Sequence, residues 1–432
     1  MPPESLTRPP LNRRIVVGNI AALLSGSTLS QGMTSLALLI TARQLGAAGY
    51  GQYAACFALA GFSSIVFSLG LDIWLLREGG RNPACLGELL GSVLTIKGVI
   101  GLAWFGLVFL FSPLLNPHSF PAGLMRLSAL SVWLDSLFAT VLTFYKASLC
   151  NKVTAVLEAS SDGIWLLATL LLAALGRQQA MAYVRARVGV LLLSLIVAVL
   201  LVWHRMPLRG TRQVMRRAIS EAFQFALSEF LAWTSMRVDV FIVALILGEY
   251  ATGLYSPAVG IVNALFLVPA TVYLVTMPVL SNLFVTNAKQ AWLTAERSIL
   301  LLIVVGAGLS LTLTVGAGPL TSLLGTSFEG SQEVLEILSP VLFIHSLSFG
   351  MAAVLVATNQ QARRMIVQAI AVAANALLNF LVVRRAGIRG AAVVYVVTEI
   401  MLLAGYTWLV RGYHLRSVSL ASFPVNHRMA SE

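Results

Sequence analysis

Apolar runs long enough to cross a bilayer recur from near one end of this chain to near the other, and they constrain its fold more than any other feature. A membrane-spanning helix takes about 20 apolar residues. Twelve runs of that kind fall at about residues 15–41, 51–76, 86–112, 124–146, 153–175, 181–203, 219–247, 254–283, 298–325, 334–357, 364–383 and 388–410. No connection between them is long enough to be a domain. Apolar residues make up 58% of the 432 and charged residues 11%, too little polar surface to coat soluble cores. In hydrocarbon the backbone must satisfy its own hydrogen bonds, so such runs form helices, and Pro257 and Pro269 inside the eighth run are tolerated there. An all-α polytopic membrane protein is expected, and a secreted enzyme, a solenoid or a disordered scaffold is excluded.

The net charge of +12 does not point to nucleic acid, because the basic residues sit mainly in short stretches between apolar runs. Their distribution sets topology. With the N-terminus inside, 19 of the 29 Lys and Arg fall on the inner side, 8 on the outer side and two within spans. The densest group, Arg205, Arg209, Arg212, Arg216 and Arg217, follows the sixth run, and the positive-inside rule places it in the cytoplasm together with both termini. The N-terminal MPPESLTRPPLNRR is polar and precedes a run without a small-residue cleavage site, which reads as an uncleaved first span. Cys56, Cys85 and Cys150 are odd in number and lack CxxC spacing, and the five histidines are scattered, so no disulfide framework, metal site or cofactor is expected.

The chain repeats itself once. Leu45-Gly46 is followed after four residues by Gly51-Gln52-Tyr53, and Leu247-Gly248 after four residues by Gly253-Leu254-Tyr255, at an offset of about 202 residues. Each copy lies at the same place in a set of six helices. Six is even, so the halves enter the membrane in the same sense, as in parallel-repeat transporters with a cavity between the halves. The expected organisation is a cytoplasmic tail over 1–14, a six-helix lobe over 15–203, a basic cytoplasmic connector over 204–218, a second six-helix lobe over 219–410 and a cytoplasmic tail over 411–432. Gly46, Gly49 and Gly51 read as tight-turn residues, Tyr53 and Tyr255 as members of an interfacial aromatic belt, and Gly387, Gly390 and Ala391 as close-packing residues.

The stretches LGAAGYGQYAACFALAGFSSIVFSLGLDIWLLREGGR (45–81) and NALLNFLVVRRAGIRGAAVVYVVTE (375–399) resemble the polysaccharide repeat-unit flippases, the Wzx-type branch of the multidrug, oligosaccharidyl-lipid and polysaccharide exporter superfamily. The likeness covers nearly the whole chain in helix count and order. It implies a V-shaped pair of six-helix lobes in a bacterial inner membrane, moving an undecaprenyl-pyrophosphate-linked glycan to the periplasmic leaflet by alternating access, beside glycosyltransferase and polymerase partners. Lipid II flippases look similar but usually carry two more helices. The alternative is a cation-coupled drug or metabolite antiporter of the same superfamily. A membrane enzyme on the same lipid carrier is a third class, disfavoured because the longest outer connection is about a dozen residues and has neither paired carboxylates nor a His cluster.

Ionisable groups at bilayer depth are the candidates for function. Lys97 lies about 16 Å into the third run, and Asp135, Asp162, Arg237, Asp239 and Glu399 fall at similar depth. Lys97 and Arg237, one per lobe, are the candidate phosphate-binding cations. Trp233, four residues before Arg237, offers a cation–π partner and a stacking surface; a structural pair is the other reading. Glu158 and Asp162 are four apart and repel, so one takes a proton or finds a cation such as Lys97. The coupling candidates are Asp135, Glu158, Asp162, Asp239 and Glu399, with structural ion pairs as the competing role. Two cations against four acids is acidic for a pyrophosphate site, so Arg77, Arg81 and Arg43 join the substrate candidates. His345 is a packed or cavity histidine, with proton relay as the minor reading. Asn375 and Asn379 share a face and serve either sugar hydroxyls or interhelical packing.

Overall fold

In the computed structural model the backbone is described over residues 13–421 except 205, and the side chains over 25–415 except 205, 224, 228, 232, 233, 235 and 236. Residues 1–12 and 422–432 of the expected tails, Arg205 and the Trp233 side chain lie outside the described residues. Among the described residues the regular structure is all helix: α1 (Arg13–Ser63), α2 (Ile65–Ser68), α3 (Leu71–Arg81), α4 (Leu86–Phe111), α5 (Ala122–Ala147), α6 (Asn151–Ala174), α7 (Ala180–Trp203), α8 (Arg212–Leu265), α9 (Leu267–Thr286), α10 (Ala288–Leu324), α11 (Glu329–Ala357) and α12 (Gln361–Ala421), with three short 3-10 turns. Among the described residues, nine helical segments are long and apolar enough to cross a membrane.

Three of those segments double back on themselves. Gly46 (φ 66°, ψ 176°), Gly248 (φ 82°, ψ −170°) and Gly387 (φ 61°, ψ −151°) interrupt α1, α8 and α12 in a region that only glycine occupies cheaply. The side-chain pairs confirm the reversal. Tyr255 Oη donates to Asp239 Oδ2 at 2.7 Å and Asn375 Nδ2 donates to Thr398 Oγ1 at 3.0 Å, each pair straddling its glycine almost symmetrically. In α1, the first half pairs with α6 through Ser30 and Asp162, while α3, which follows the second half of α1, runs against α4 through Asp72 and Lys97. Twelve passes result, matching the twelve apolar runs. Helix α8 begins at Arg212, inside the expected connector, leaving only 204–211 as the link between lobes.

The repeated motif is where the lobes meet. A Cβ on Gly51 would lie 1.7 Å from the Glu249 carbonyl oxygen, and one on Gly253 1.7 Å from the Ala47 carbonyl oxygen. The two contacts exchange under the repeat offset, so each turn lays its glycine on the other's backbone about a pseudo-twofold axis. Ser119 Oγ donates to Glu249 Oε2 at 3.2 Å beside this clasp. At the opposite end, the start of α8 docks on the first lobe. Gly70 (φ 70°) lies against the Ala222 carbonyl oxygen and its N–H donates to Glu229 Oε2 at 2.9 Å. Ala218 and Ala222 are buried in one apolar core with Trp74, Leu75 and Leu86.

The belt expected of Tyr53 and Tyr255 is not found. Both are buried, Tyr53 stacked on Tyr50 with centroids 5.7 Å apart and Tyr255 turned inward to Asp239, because each follows its turn glycine on the core-facing side. Lys97 is also a core residue. Its ammonium is 1% exposed and donates to Asp72 Oδ2 at 2.7 Å, Ser136 Oγ at 3.0 Å and Thr140 Oγ1 at 2.9 Å, all within the first lobe.

Two outcomes follow. Gly51→Ala and Gly253→Ala each force the turns apart, so oxidative cross-linking of Ser119→Cys to Glu249→Cys falls in their presence; undiminished cross-linking contradicts the backbone contact. Lys97→Ala strands Asp72 and should cost about 3 kcal/mol. Thermal unfolding in detergent reads that loss, and adding Asp72→Asn should recover much of it.

Candidate functional site between the lobes

The charged centre of the first lobe comes from three consecutive helices. Asp162 and Trp165 are three residues apart on α6, so carboxylate and indole share a face. Arg187, about 11 Å into α7 at 1.5 Å per residue, meets both. Its Nη1 donates to Asp162 Oδ1 at 2.9 Å, its Nη2 to Asp135 Oδ1 of α5 at 3.4 Å, and its guanidinium stacks 4.4 Å from the Trp165 ring centroid. Ser30 of α1 donates to the other oxygen of Asp162. The planar fork of arginine suits this double engagement. Asp162 and Arg187 are 14% and 16% exposed, whereas Asp135 is 56% exposed.

The second lobe contributes Arg237, on the half of α8 that faces α1. It lines a narrow crevice between lobes with Phe62 and Ser68 on one side and Glu229 and Phe230 on the other. Arg237 is in electrostatic contact with Asp135, Tyr50, Tyr53 and Asp239.

The remaining sequence candidates are distributed around this centre. Glu158 pairs with Lys146 at 3.3 Å, so the two acids on α6 repel less than their spacing implies: each has its own cation. Arg77 and Arg81 both hold Glu78, at 3.2 and 3.1 Å, and Arg217 joins them at 2.8 Å. These arginines build the contact between α3 and α8. Arg43 is exposed beside the Gly46 turn. Asn379 Nδ2 donates to the Asn375 side-chain oxygen at 2.9 Å, and this buried pair ties the two halves of α12 through Thr398. Among the described residues, no cluster of His, Cys, Asp and Glu comes together to hold a metal ion.

A second polar site lies within the second lobe. A cavity of about 290 Å³ is lined by His345, Glu399, Arg364, Asn375, Tyr406 and Phe266 among others. His345 Nδ1 lies 2.8 Å from Glu399 Oε2, and its ring stacks on Phe266 with centroids 4.0 Å apart.

Arg187 is the residue that sequence reasoning missed. The charge count placed it with the outer connection before the sixth run, although an arginine eight positions into a 24-residue apolar helix is itself the signal of a buried cation.

With this geometry in view, the relatives are informative. Residues 40–324 match the model of a family described as polysaccharide biosynthesis protein. No protein of curated function matches the chain in sequence. Among solved structures, the chain is similar to an inward-facing multidrug resistance MATE family transporter of the MOP superfamily, at 13% identity and a TM-score of 0.67 over 91% of this chain and 96% of that one. It is similar to an outward-facing MATE transporter, at 12% identity and a TM-score of 0.61 over 95% and 96%. A MOP superfamily transporter from Pyrococcus furiosus, described as having a binding pocket of reverse polarity, matches at 10% identity and a TM-score of 0.59 over 94% and 96%. The fold is therefore that of the MOP transporters, and the family match, which covers about two-thirds of the sequence, shows that this chain belongs to the polysaccharide biosynthesis protein family.

Proposed function

We propose that the chain flips a lipid-linked oligosaccharide, a polysaccharide repeat unit on undecaprenyl pyrophosphate, from the cytoplasmic to the periplasmic leaflet of a bacterial inner membrane. The observation that carries this reading is one arginine from each lobe in the central region: Arg187 on the exposed carboxylate of Asp135, and Arg237 lining the crevice between the lobes. A pyrophosphate leaving the interface must exchange its hydration for fixed donors, and a guanidinium offers two parallel N–H groups to phosphate oxygens. Lys97 was the expected partner of Arg237; Arg187 takes that role here, since Lys97 is bound to Asp72.

Alternating access breaks the two lobe contacts in turn. The glycine clasp closes the periplasmic side while the contact of α3 with α8 at Glu78 and Arg217 opens, and the reverse follows. Polysaccharide polymerase and glycosyltransferases are the partners expected beside it. The coupling candidates separate by geometry. Glu158 is held by Lys146 and Asp239 by Tyr255, while Asp135 and Asp162 sit on the arginine that would take substrate. One observation favours the antiporter alternative: the Glu399–His345 pair opens onto a cavity large enough for a small polar solute.

Surface polysaccharide in a strain lacking the native gene tests the proposal. Arg187→Ala and Arg237→Ala, each at wild-type membrane abundance, should abolish complementation, and either Arg→Lys change should restore part of it. Full complementation by the double alanine variant excludes the site, and resistance to cationic dyes without glycan export supports the antiporter. For topology, reporter fusions after Arg212 and after Arg411 should both give cytoplasmic signals and one at Gly49 a periplasmic signal. A periplasmic signal at Arg212 inverts every helix.

A further inference from the structure

We propose that the triad of Asp135, Asp162 and Arg187 binds a proton and the pyrophosphate together, so that the site takes up a proton as it takes up its substrate. This rests on the reading that the substrate is a pyrophosphate diester.

The argument begins with charge. Two carboxylates on one guanidinium leave the triad one unit negative when both are ionised, which repels an anion. The groups around it from each neighbouring element add at most one further cation. From α1 come the Ser30 hydroxyl and the stacked phenols of Tyr50 and Tyr53. From α4 comes Lys97, already paired with Asp72. On α6, Glu158 belongs to Lys146. From α8 comes Arg237, with Asp239 on its own helix as a second acidic neighbour. The two arginines of the cleft are thus balanced by Asp135 and Asp162 before any substrate enters.

Geometry then selects which carboxylate yields. Each Nη of Arg187 already donates to an acid, so a phosphate that takes two parallel N–H groups of the fork competes with one of them, and the more weakly held acid yields first. Asp162 is held at 2.9 Å, is mostly buried and has Ser30 on its other oxygen. Asp135 is held at 3.4 Å and is exposed. Asp135 is the one displaced. Trp165 stays stacked on the guanidinium and keeps the fork aimed. A displaced carboxylate beside phosphate oxygens is strongly repelled unless it takes a proton, and the protonated acid then donates a hydrogen bond to the anion it would otherwise oppose. Binding the anion therefore takes up a proton at Asp135. By linkage, affinity rises as pH falls, with a limit of about tenfold per pH unit for one proton. An antiporter in which substrate and proton compete has the opposite slope.

The test uses purified full-length protein in lipid nanodiscs and, as probe, a short-prenyl pyrophosphoryl monosaccharide. The probe is a diester whose charge stays constant across the range. Wild-type protein should bind at least about tenfold tighter near pH 5.5 than near pH 7.5. Asp135→Asn, which mimics the protonated acid, should bind tightly at both pH values and lose the slope. Asp162→Asn should keep the slope, Arg187→Ala should lose binding, and Arg187→Lys should keep a weakened form of it. The gain of affinity at neutral pH in Asp135→Asn is a readout that a merely structural aspartate does not give. Wild-type affinity that is flat with pH or falls on acidification, or an Asp135→Asn variant that binds more weakly than wild type, overturns the proposal while leaving the pyrophosphate reading intact. Wild-type protein that binds no probe at any pH removes that reading, and the proposal with it.

Discussion

A charge in hydrocarbon needs a partner, and that requirement arranges the polar groups of this protein. Lys97 sits on Asp72, Arg187 on Asp135 and Asp162, Lys146 on Glu158, and Glu78 under three arginines. Breaking such a pair costs more than the pair contributes, because the survivor is left buried and uncompensated. Helix packing is therefore pinned at the ion pairs while leucine, valine and phenylalanine fill the space around them. The same rule separates structure from function. A pair that is dry and doubly satisfied, such as Lys97 with Asp72, Ser136 and Thr140, has nothing left to offer a ligand. A pair with one long, exposed contact, such as Arg187 with Asp135, can exchange a partner at small cost.

Glycine imposes the second constraint. The Gly46 and Gly248 turns reverse the chain within one residue, and Gly51 and Gly253 then let two turns touch backbone to backbone. An added methyl group at either clasp position has no room. This kind of contact has a shape suited to a gate: it is tight when closed, yet it involves few side chains that would have to be desolvated or repacked when it parts. The α3 and α8 contact at the opposite end is built differently, from arginines, Glu78 and a Trp74 indole that donates to Glu221 at 2.9 Å. One end is held by shape and the other by charge.

Much of the fold was legible in the sequence because its causes are local or periodic. Span-length apolar runs fix the number of passes, and the duplicated Leu-Gly and Gly-x-Tyr spacing marks equivalent turns in the two halves. The interior side of the site was less legible. Lys97 and Asp72 are 25 residues apart, Arg187 and Asp162 are 25 apart, and Arg187 and Asp135 are 52 apart. Each pair joins different helices, so its existence depends on helix rotation and on which neighbours pack together, and no spacing along one helix encodes that. Depth alone nominated Lys97. Counting Arg187 as part of an outer connection removed the cation that the acidic tally was lacking.

The duplicated scaffold carries unequal chemistry on matching passes. In the first lobe the fourth, fifth and sixth passes bear Asp135, Asp162 and Arg187; in the second lobe the tenth, eleventh and twelfth bear His345, Asn375 and Glu399. The acids stand on the earlier passes and the base on the last in one lobe, and the order is reversed in the other. A pseudo-twofold axis that relates the backbones therefore sets Arg187 against Glu399 and Asp162 against the neutral Asn375, and the lobes do not share that symmetry in their charges. A symmetric site would bind an anion equally from both halves and would release it from neither in preference. On the proposed reading, with Arg187 on a yielding carboxylate in one lobe and the acid of the other lobe closed on its own imidazole, the contacts of a bound pyrophosphate are weighted toward the first lobe. Relative rotation of the lobes then changes how much of that grip the second lobe's Arg237 adds, which is what an alternating-access cycle needs in order to hold its cargo on one side and let it go on the other.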